Sequence, residues 1–252
     1  MRIVVIGGTG LVGSKVVRGL ADHGHDAVAA APSSGVDTVT GEGLADVLVG
    51  ADVVVDVSNS PSFEDEAAMT FFRTATTNLL RAEAAAGVAH HVALSVVGTE
   101  FLARQSGYFQ AKLEQESLIS TGPVPYTIVH ATQFFEFLTT IADSATSDDV
   151  VRLPDALIQP IGSADVAEAV AIAAVGSPVN GITEIGGPEL FTLETLIRTA
   201  LTARGDTRRV VTDHQAQYWG VDIEERTLIP GDGAVLFDTR FADWILESAA
   251  RG

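Results

Sequence analysis

Arg2-Ile-Val-Val-Ile6 runs straight into Gly7-Gly-Thr-Gly10-Leu-Val-Gly13, and the rest of the chain is organised around this stretch. A short apolar run of this kind fits a buried strand of a parallel sheet. The glycines permit a tight turn, and Leu11, Val12, Val16, Val17 and Leu20 then recur at helical spacing. Where no Cβ intervenes, backbone N–H groups and a helix N-terminus can come close to a pyrophosphate. A glycine-rich loop alone is a weak signal. This one follows a strand and opens a helix, which is the context the dinucleotide-binding fingerprint requires. Gly7, Thr9, Gly10, Leu11, Val12 and Gly13 are therefore candidate cofactor-binding residues.

The 252 residues fit one domain, or one domain with a smaller lobe, and with 46% hydrophobic residues they can bury a sizeable core. A net charge of −18 argues against nonspecific binding to DNA, RNA or an anionic membrane. The absence of cysteine rules out disulfides, thiolate metal sites and a cysteine nucleophile. The chain enters its first strand without the features of a signal peptide, and no apolar stretch approaches the length of a membrane span. A cytoplasmic protein is expected.

After the first helix, Asp26-Ala-Val-Ala-Ala-Ala31 reads as a second strand stopped by Pro32. Strand, helix and strand of these lengths make a right-handed βαβ unit. NAD-selective sites place an acidic residue at the end of that second strand, against the ribose hydroxyls. Here Ala31, Pro32, Ser33 and Ser34 stand instead, with no arginine beside them. Without a carboxylate to repel a 2′-phosphate, and with the hydroxyls of Ser33 and Ser34 to hold it, NADP is the expected cofactor and NAD the alternative. Gly43 to Gly50 reads as a short helix. Ala51-Asp-Val-Val-Val-Asp-Val57 is a third strand, and the small polar residues after it, Ser58 among them, stand where an open α/β sheet receives its ligand. Asp56 reads equally as a strand-end contact or a solvated neighbour of the loop. Glu64 to Gly87 is a long helix, and His90-His91-Val-Ala-Leu94 a fourth strand leading into Ser95. The adjacent histidines cannot share a face. No third ligand stands at metal spacing, so they read as strand-edge residues and no metal is expected.

Tyr108-Phe-Gln-Ala-Lys112 opens another helix. Tyrosine and lysine four apart share a face. An ammonium beside a phenol favours the phenolate, so Lys112 is expected to lower the Tyr108 pKa and make it a usable acid. Ser95 sits at a strand's carboxyl end, on the ligand side of the sheet.

On Gly7, Gly10 and Gly13, Ser95, Tyr108 and Lys112, and on the order of strands and helices, the chain resembles the short-chain dehydrogenase/reductase superfamily. The likeness is closer to its atypical branch with an NmrA-like NAD(P)H-binding domain. It runs over nearly the whole chain, including Ile185-Gly-Gly-Pro188. The resemblance implies that Tyr108 is the general acid that protonates a carbonyl oxygen during hydride transfer. It also implies that Ser95 hydrogen-bonds that oxygen and that Lys112 binds the nicotinamide ribose while tuning Tyr108. Many relatives carry a proton-relay asparagine on the helix before the serine strand; here Phe72, not Asn78, aligns with it.

Val124-Pro-Tyr-Thr-Ile-Val129 is a further strand, and in relatives the segment after it lies beside the nicotinamide. Thr132 and Gln133 are candidates for the carboxamide, and Phe134 and Phe135 for packing on cofactor or substrate, with a core role equally open to the two rings. Val150 to Pro154 reads as a short strand. Ser163 looks like the cap of a helix, and a strand at Gly181 to Ile185 precedes a helix at Thr192 to Ala203. The remainder, with Tyr218, Trp219 and Trp244, is expected to cover one side of the cleft, Trp219 being a candidate substrate contact.

The expected fold is α/β: a doubly wound, mostly parallel sheet (Rossmann fold) with a small C-terminal substrate lobe. It forms a single NAD(P)-binding domain over 1–252, to which roughly 146–252 adds the interleaved lobe. The expected function is that of an NADP(H)-dependent oxidoreductase acting on a small-molecule carbonyl/alcohol pair. A non-catalytic NmrA-like redox sensor and an epimerase or dehydratase that recycles its nicotinamide are the alternatives. A homodimer is compatible with the sequence, which does not select an oligomeric state.

Overall fold

The computed structural model describes residues 1–249. The first half of the chain runs β1 (Arg2–Ile6), α1 (Gly13–Asp22), β2 (Asp26–Ala30), α2 (Leu44–Val47), β3 (Val53–Asp56), α3 (Asp65–Ala86), β4 (His90–Val96), α4 (Thr99–Leu102), α5 (Gly107–Ser120) and β5 (Tyr126–Ala131). There follow α6 (Leu138–Ser144), β6 (Thr146–Ser147), β7 (Val150–Leu153), β8 (Leu157–Ile158), α7 (Ser163–Val175), β9 (Gly181–Gly186), β10 (Phe191–Thr192), α8 (Leu193–Ala203), β11 (Arg209–Thr212), β12 (Val235–Leu236) and α9 (Phe241–Ala249). Seven strands form one sheet in the order β12-β9-β5-β4-β3-β1-β2. The pairs β1–β2, β1–β3, β3–β4 and β9–β12 run parallel. With helices flanking the sheet, this is the expected Rossmann-like α/β fold. Among the described residues, no helix is long and apolar enough to cross a membrane.

The chain forms two compact units. The first comprises Met1–Ser95, Gly107–His130 and Val166–Thr183; the second comprises Val96–Ser106, Ala131–Asp165 and the residues from Glu184 on. Residues 146 onward therefore contribute to both.

In the first unit, Ile3, Val4 and Val5 of β1 are inaccessible to solvent. Strand alternation turns Val4 and Ile6 to one face, where they meet Leu44, Leu48, Val54 and Leu79. The buried residues of α1 are Gly13, Val16 and Leu20, the spacing of an amphipathic helix. β1 and β2 pair from Arg2↔Asp26 to Ile6↔Ala30, so they end level. α3 carries Asp65 and Glu66 in its first turn, where acidic groups favour the helix dipole, and ends at Gly87 in a left-handed conformation. His90 and His91 do not lie at an edge: β4 is an interior strand and both are buried. His91 Nδ1 meets Glu83 Oε1 at 2.8 Å and ties β4 to α3. Burial disfavours the charge on His91, but the Glu83 carboxylate beside it prevails and holds its proton above the usual histidine range.

The second unit contains the sheet β11-β7-β6, in which β11 and β7 are parallel and β6 and β7 antiparallel, and the antiparallel pair β10-β8. Its core gathers Phe135, Leu138, Leu153, Leu196, Ile197 and Phe241. Ser163 begins α7, but its hydroxyl donates to Glu136 instead of capping the helix. The Glu136 carboxylate itself accepts the Ser163 amide at 3.2 Å, so an anion from another segment does the capping. Phe135 is 1% exposed, its ring 5.2 Å from Phe241 and 5.4 Å from Trp244. We expect Phe135→Ala to cost about 3–5 kcal/mol in urea unfolding. Phe134→Ala, at a half-buried position stacked on Phe137, should cost much less.

Candidate active site

The turn from β1 into α1 is built of backbone packed on backbone. Gly7 has φ +74°, and a Cβ there would lie 2.9 Å from the Ser58 nitrogen. A Cβ on Gly13 would lie 2.2 Å from the Gly7 carbonyl oxygen. Gly8, which sequence reasoning missed, is equally constrained, since its Cβ would approach Ala29 Cα to 2.7 Å. At Gly10 the same construction meets only the Gly7 oxygen, at 3.3 Å. Thr9, Gly10 and Leu11 are exposed, whereas Val12 and Gly13 are buried at the head of α1. Gly10 N donates to the Gly7 oxygen at 2.9 Å and Ser14 N to the Gly10 oxygen at 3.0 Å, so the fit of this turn to a pyrophosphate comes from its missing Cβ atoms and from the N-terminal end of α1.

At the end of β2, Ser33 is exposed and Ser34 is occupied. The Ser34 Oγ donates to the Ala31 carbonyl and accepts the Ala31 amide, both at 2.9 Å, closing the turn at Pro32–Ser34. The nearby carboxylate of Asp37 accepts the Val39 and Thr40 amides at 2.7 and 3.0 Å. At the end of β3, Asp56 is buried and accepts both the amide and the hydroxyl of Ser58, at 3.0 and 2.6 Å. Of its two readings, the strand-end contact is the one observed.

The inner face of α5 presents Lys112, Gln115 and Glu116, spaced i, i+3 and i+4, and all three are buried. Lys112 Nζ donates to the Leu94 carbonyl at 2.9 Å and to Gln115 Oε1. Gln115 Nε2 donates to Asp56 Oδ2 at 3.0 Å. The Lys112 ammonium also stands 4.8 Å from the centre of the Phe72 ring. The residue aligned with the relay asparagine thus offers a π face to the lysine. Asn78, one turn and a half further on, anchors the Thr38 and Val39 carbonyls. Burial lowers the Lys112 pKa to about 8, against the carboxylates of Asp56 and Glu116, which act to raise it.

Ser95 Oγ donates to Glu116 Oε1, and His130 Nε2 donates to the same oxygen at 3.0 Å. Burial pushes the Glu116 carboxyl up, but the bond and charge of His130, then Ser95 and Lys112, outweigh it and hold the group below the usual glutamate range. Gln115, Glu116 and His130 were not among the sequence candidates. Their one signal was position, two of them following Lys112 at helical spacing.

Tyr108 departs from expectation. Its hydroxyl donates to Asn59 Oδ1 at 2.9 Å, and its ring meets Phe63 at 5.2 Å and Phe72 at 6.0 Å. Burial pushes its pKa up to about 12. Lys112, bound to Leu94 and Gln115, does not lower it. The structure therefore keeps the phenol protonated.

In the second unit, Thr132 Oγ1 and Gln133 Oε1 are buried without a hydrogen-bond partner. Phe134 is half-buried against Phe137, Phe135 belongs to the core, and Trp219 is exposed in a tight turn with φ +51°. No cluster of three metal-binding side chains occurs among the described residues.

No model of a known protein family matches the chain. It is 30% identical over 205 residues to a (4-alkanoyl-5-oxo-2,5-dihydrofuran-3-yl)methyl phosphate reductase of Streptomyces griseus, covering 75% of this chain and 69% of that protein. Among solved structures it is similar to Thermus thermophilus UDP-glucose 4-epimerase in complex with NAD. That match has a TM-score of 0.70 at 17% identity and covers 91% of this chain and 92% of the other. It is also similar to dTDP-4-dehydrorhamnose reductase of Bacillus anthracis str. Ames in complex with NADP, with a TM-score of 0.69 at 12% identity over 85% of each chain. At such identities the structural matches speak for the fold.

The turn geometry separates two glycines. Gly13→Ala forces its methyl onto the Gly7 carbonyl and should weaken binding of the reduced nicotinamide dinucleotide more than tenfold (about 1.4 kcal/mol or more). Gly10→Ala, with a 3.3 Å contact, should do so far less. Nicotinamide fluorescence titration of both variants measures the difference, and equal effects would contradict the close approach at Gly13.

Proposed function

Because the chain belongs to the short-chain dehydrogenase/reductase superfamily of NAD(P)-dependent oxidoreductases, we propose that it is an NADP(H)-dependent reductase of a carbonyl compound, with Tyr108 as its proton donor. The observation that carries this reading is the placement of Tyr108 one helical turn before Lys112 on α5, with the Lys112 ammonium bonded to the Leu94 carbonyl next to Ser95. A phenol holds the proton that reduction of a carbonyl consumes, and burial, which pushes Tyr108 up to about 12, makes it a weaker acid that cofactor and substrate would have to assist. A reduced nicotinamide, when bound, supplies the hydride for the carbonyl carbon.

The remaining residues bind and orient. Gly7, Gly8, Gly10 and Gly13 with the first turn of α1 would hold the pyrophosphate, and the open backbone around Ser33 the 2′-phosphate. The carboxylate of Asp37, near the end of β2, is engaged by its own turn, which supports NADP over NAD. Lys112 presents a buried ammonium for the nicotinamide ribose. Ser95 has given its hydrogen to Glu116, so its oxygen presents lone pairs and does not donate to a carbonyl in this arrangement. Thr132, Phe134 and Trp219 are offered as further contacts with cofactor or substrate. The relative from Streptomyces griseus suggests an oxidised carbon skeleton bearing a phosphate ester as one substrate to try.

The test is a fluorescence titration with NADPH and NADH, followed by a panel of ketones, quinones and unsaturated lactones. Tighter binding of NADPH and its consumption with one carbonyl class is expected. Nucleotide retained through gel filtration without net consumption would favour an epimerase or dehydratase instead. Tyr108→Phe should lower turnover about 10²–10⁴-fold and leave NADPH binding unchanged. Unaltered turnover would remove Tyr108 from the chemistry.

A further inference from the structure

We propose that Glu116 is a positioning residue of this site: its carboxylate takes the Ser95 hydroxyl hydrogen, is itself fixed by His130, and stands one helical turn from Lys112 on the buried face of α5. The inference rests on the reductase reading for its catalytic meaning. It rests on geometry for its substance.

The three side chains converge from three elements of the first unit: Ser95 from the end of β4, His130 from β5 and Glu116 from α5. Ser95 is 4% exposed, His130 6% and Glu116 8%. A buried carboxylate is costly unless its oxygens are hydrogen-bonded, and here two donors converge on one oxygen. Charge-assisted bonds of this kind are among the stronger ones in proteins. With its hydrogen committed, the Ser95 oxygen has a defined orientation and a defined polarity, that of an acceptor. Glu116 lies four residues, one helical turn, beyond Lys112 and adds its negative charge to that of Asp56 around a fully buried ammonium.

The groups that face Lys112 are Gln115 and Glu116 from its own helix, Asp56 of β3 behind Gln115, the Leu94 carbonyl of β4 and the Phe72 ring of α3, with His130 of β5 beyond Glu116. Removing the Glu116 charge must therefore make the lysine easier to deprotonate. Burial already favours the neutral amine, and one of two compensating carboxylates would be gone.

The chain contains only two lysines, Lys15 and Lys112, so protein labelled with 13C at the lysine Cε carbon gives two side-chain titrations by NMR. In the native protein the Lys112 midpoint is expected near 8. In Glu116→Gln it should fall, and Glu116→Asp, which keeps the charge, should restore most of it. With NADPH and a carbonyl compound that is turned over, Glu116→Gln should lower kcat on the order of ten- to a hundredfold at little change in KM. The alkaline limb of the pH profile should shift down with the Lys112 midpoint. If Glu116 acts through Ser95, the double variant Ser95→Ala/Glu116→Gln should be no slower than the slower single one.

A Lys112 midpoint and pH profile unchanged in Glu116→Gln overturn the proposal, as do two substitutions whose effects multiply. If the native protein binds NADPH but consumes none with any carbonyl compound, the reductase reading fails. The Lys112 midpoint then decides the role of Glu116 without it. Should Glu116→Gln not fold, Ser95→Ala carries the test: the 13C-carboxyl titration of Glu116 must rise toward the ordinary glutamate range, and no rise refutes the coupling.

Discussion

The close approach of the Gly13 backbone to the Gly7 carbonyl oxygen, where even one methyl would sit at 2.2 Å, sets the geometry from which the first unit proceeds. It lets β1 turn directly into α1 while both stay packed, and it leaves the turn without Cβ atoms at Gly7, Gly8, Gly10 and Gly13. Because β1 and β2 end level, the same turn fixes where Ala31 and the serines after it emerge. The contact of Gly7 with Ser58 fixes the exit of β3 in the same way. A nucleotide-binding surface thus follows from excluded volume before any polar group is considered.

The chemistry depends on a different constraint, the balance of charge on the buried face of α5. A lysine, a glutamine and a glutamate there face Asp56, the Leu94 carbonyl, Ser95 and His130 of three strands, while Lys112 and Gln115 also bond to each other. The ammonium is surrounded by partners that lower its cost without cancelling it. Tyr108 lies four residues before Lys112, among the rings of Phe63, Phe72 and Phe109. Its burial among apolar groups disfavours the phenolate, and the ammonium that could stabilise a phenolate is bonded to Leu94 and Gln115 instead.

Much of the fold was legible because it is written in short-range patterns. The apolar run of β1, the helical spacing of Val16 and Leu20 and the stop at Gly87 each report a local requirement. The site was less so. Tyr108 and Lys112 share a helix face, but whether an ammonium reaches a phenol depends on what else competes for it, and Leu94 and Gln115 are competitors that spacing cannot reveal. Gln115 and Glu116 follow a lysine in a helix rich in polar residues, a pattern that reads as a solvated face; only the strands packed against it make them buried. Ser163 looked like a helix cap because the local rule fits it, yet a carboxylate distant in sequence, Glu136, took the amide. Phe135 and Phe134 are chemically alike, and packing in the second unit alone gives one to the core.

The bond from Tyr108 to Asn59 makes the proposed proton donor a participant in a competition. The phenol hydrogen already rests on an amide oxygen, a good acceptor, at 2.9 Å. Any molecule that is to receive that hydrogen must offer an oxygen able to displace the amide. Ordinary ketone oxygens are poorer acceptors than amides, whereas carbonyls conjugated to electron-donating groups come closer to them. Selectivity among substrates can therefore arise from basicity at one oxygen, independently of the shape of the molecule that carries it.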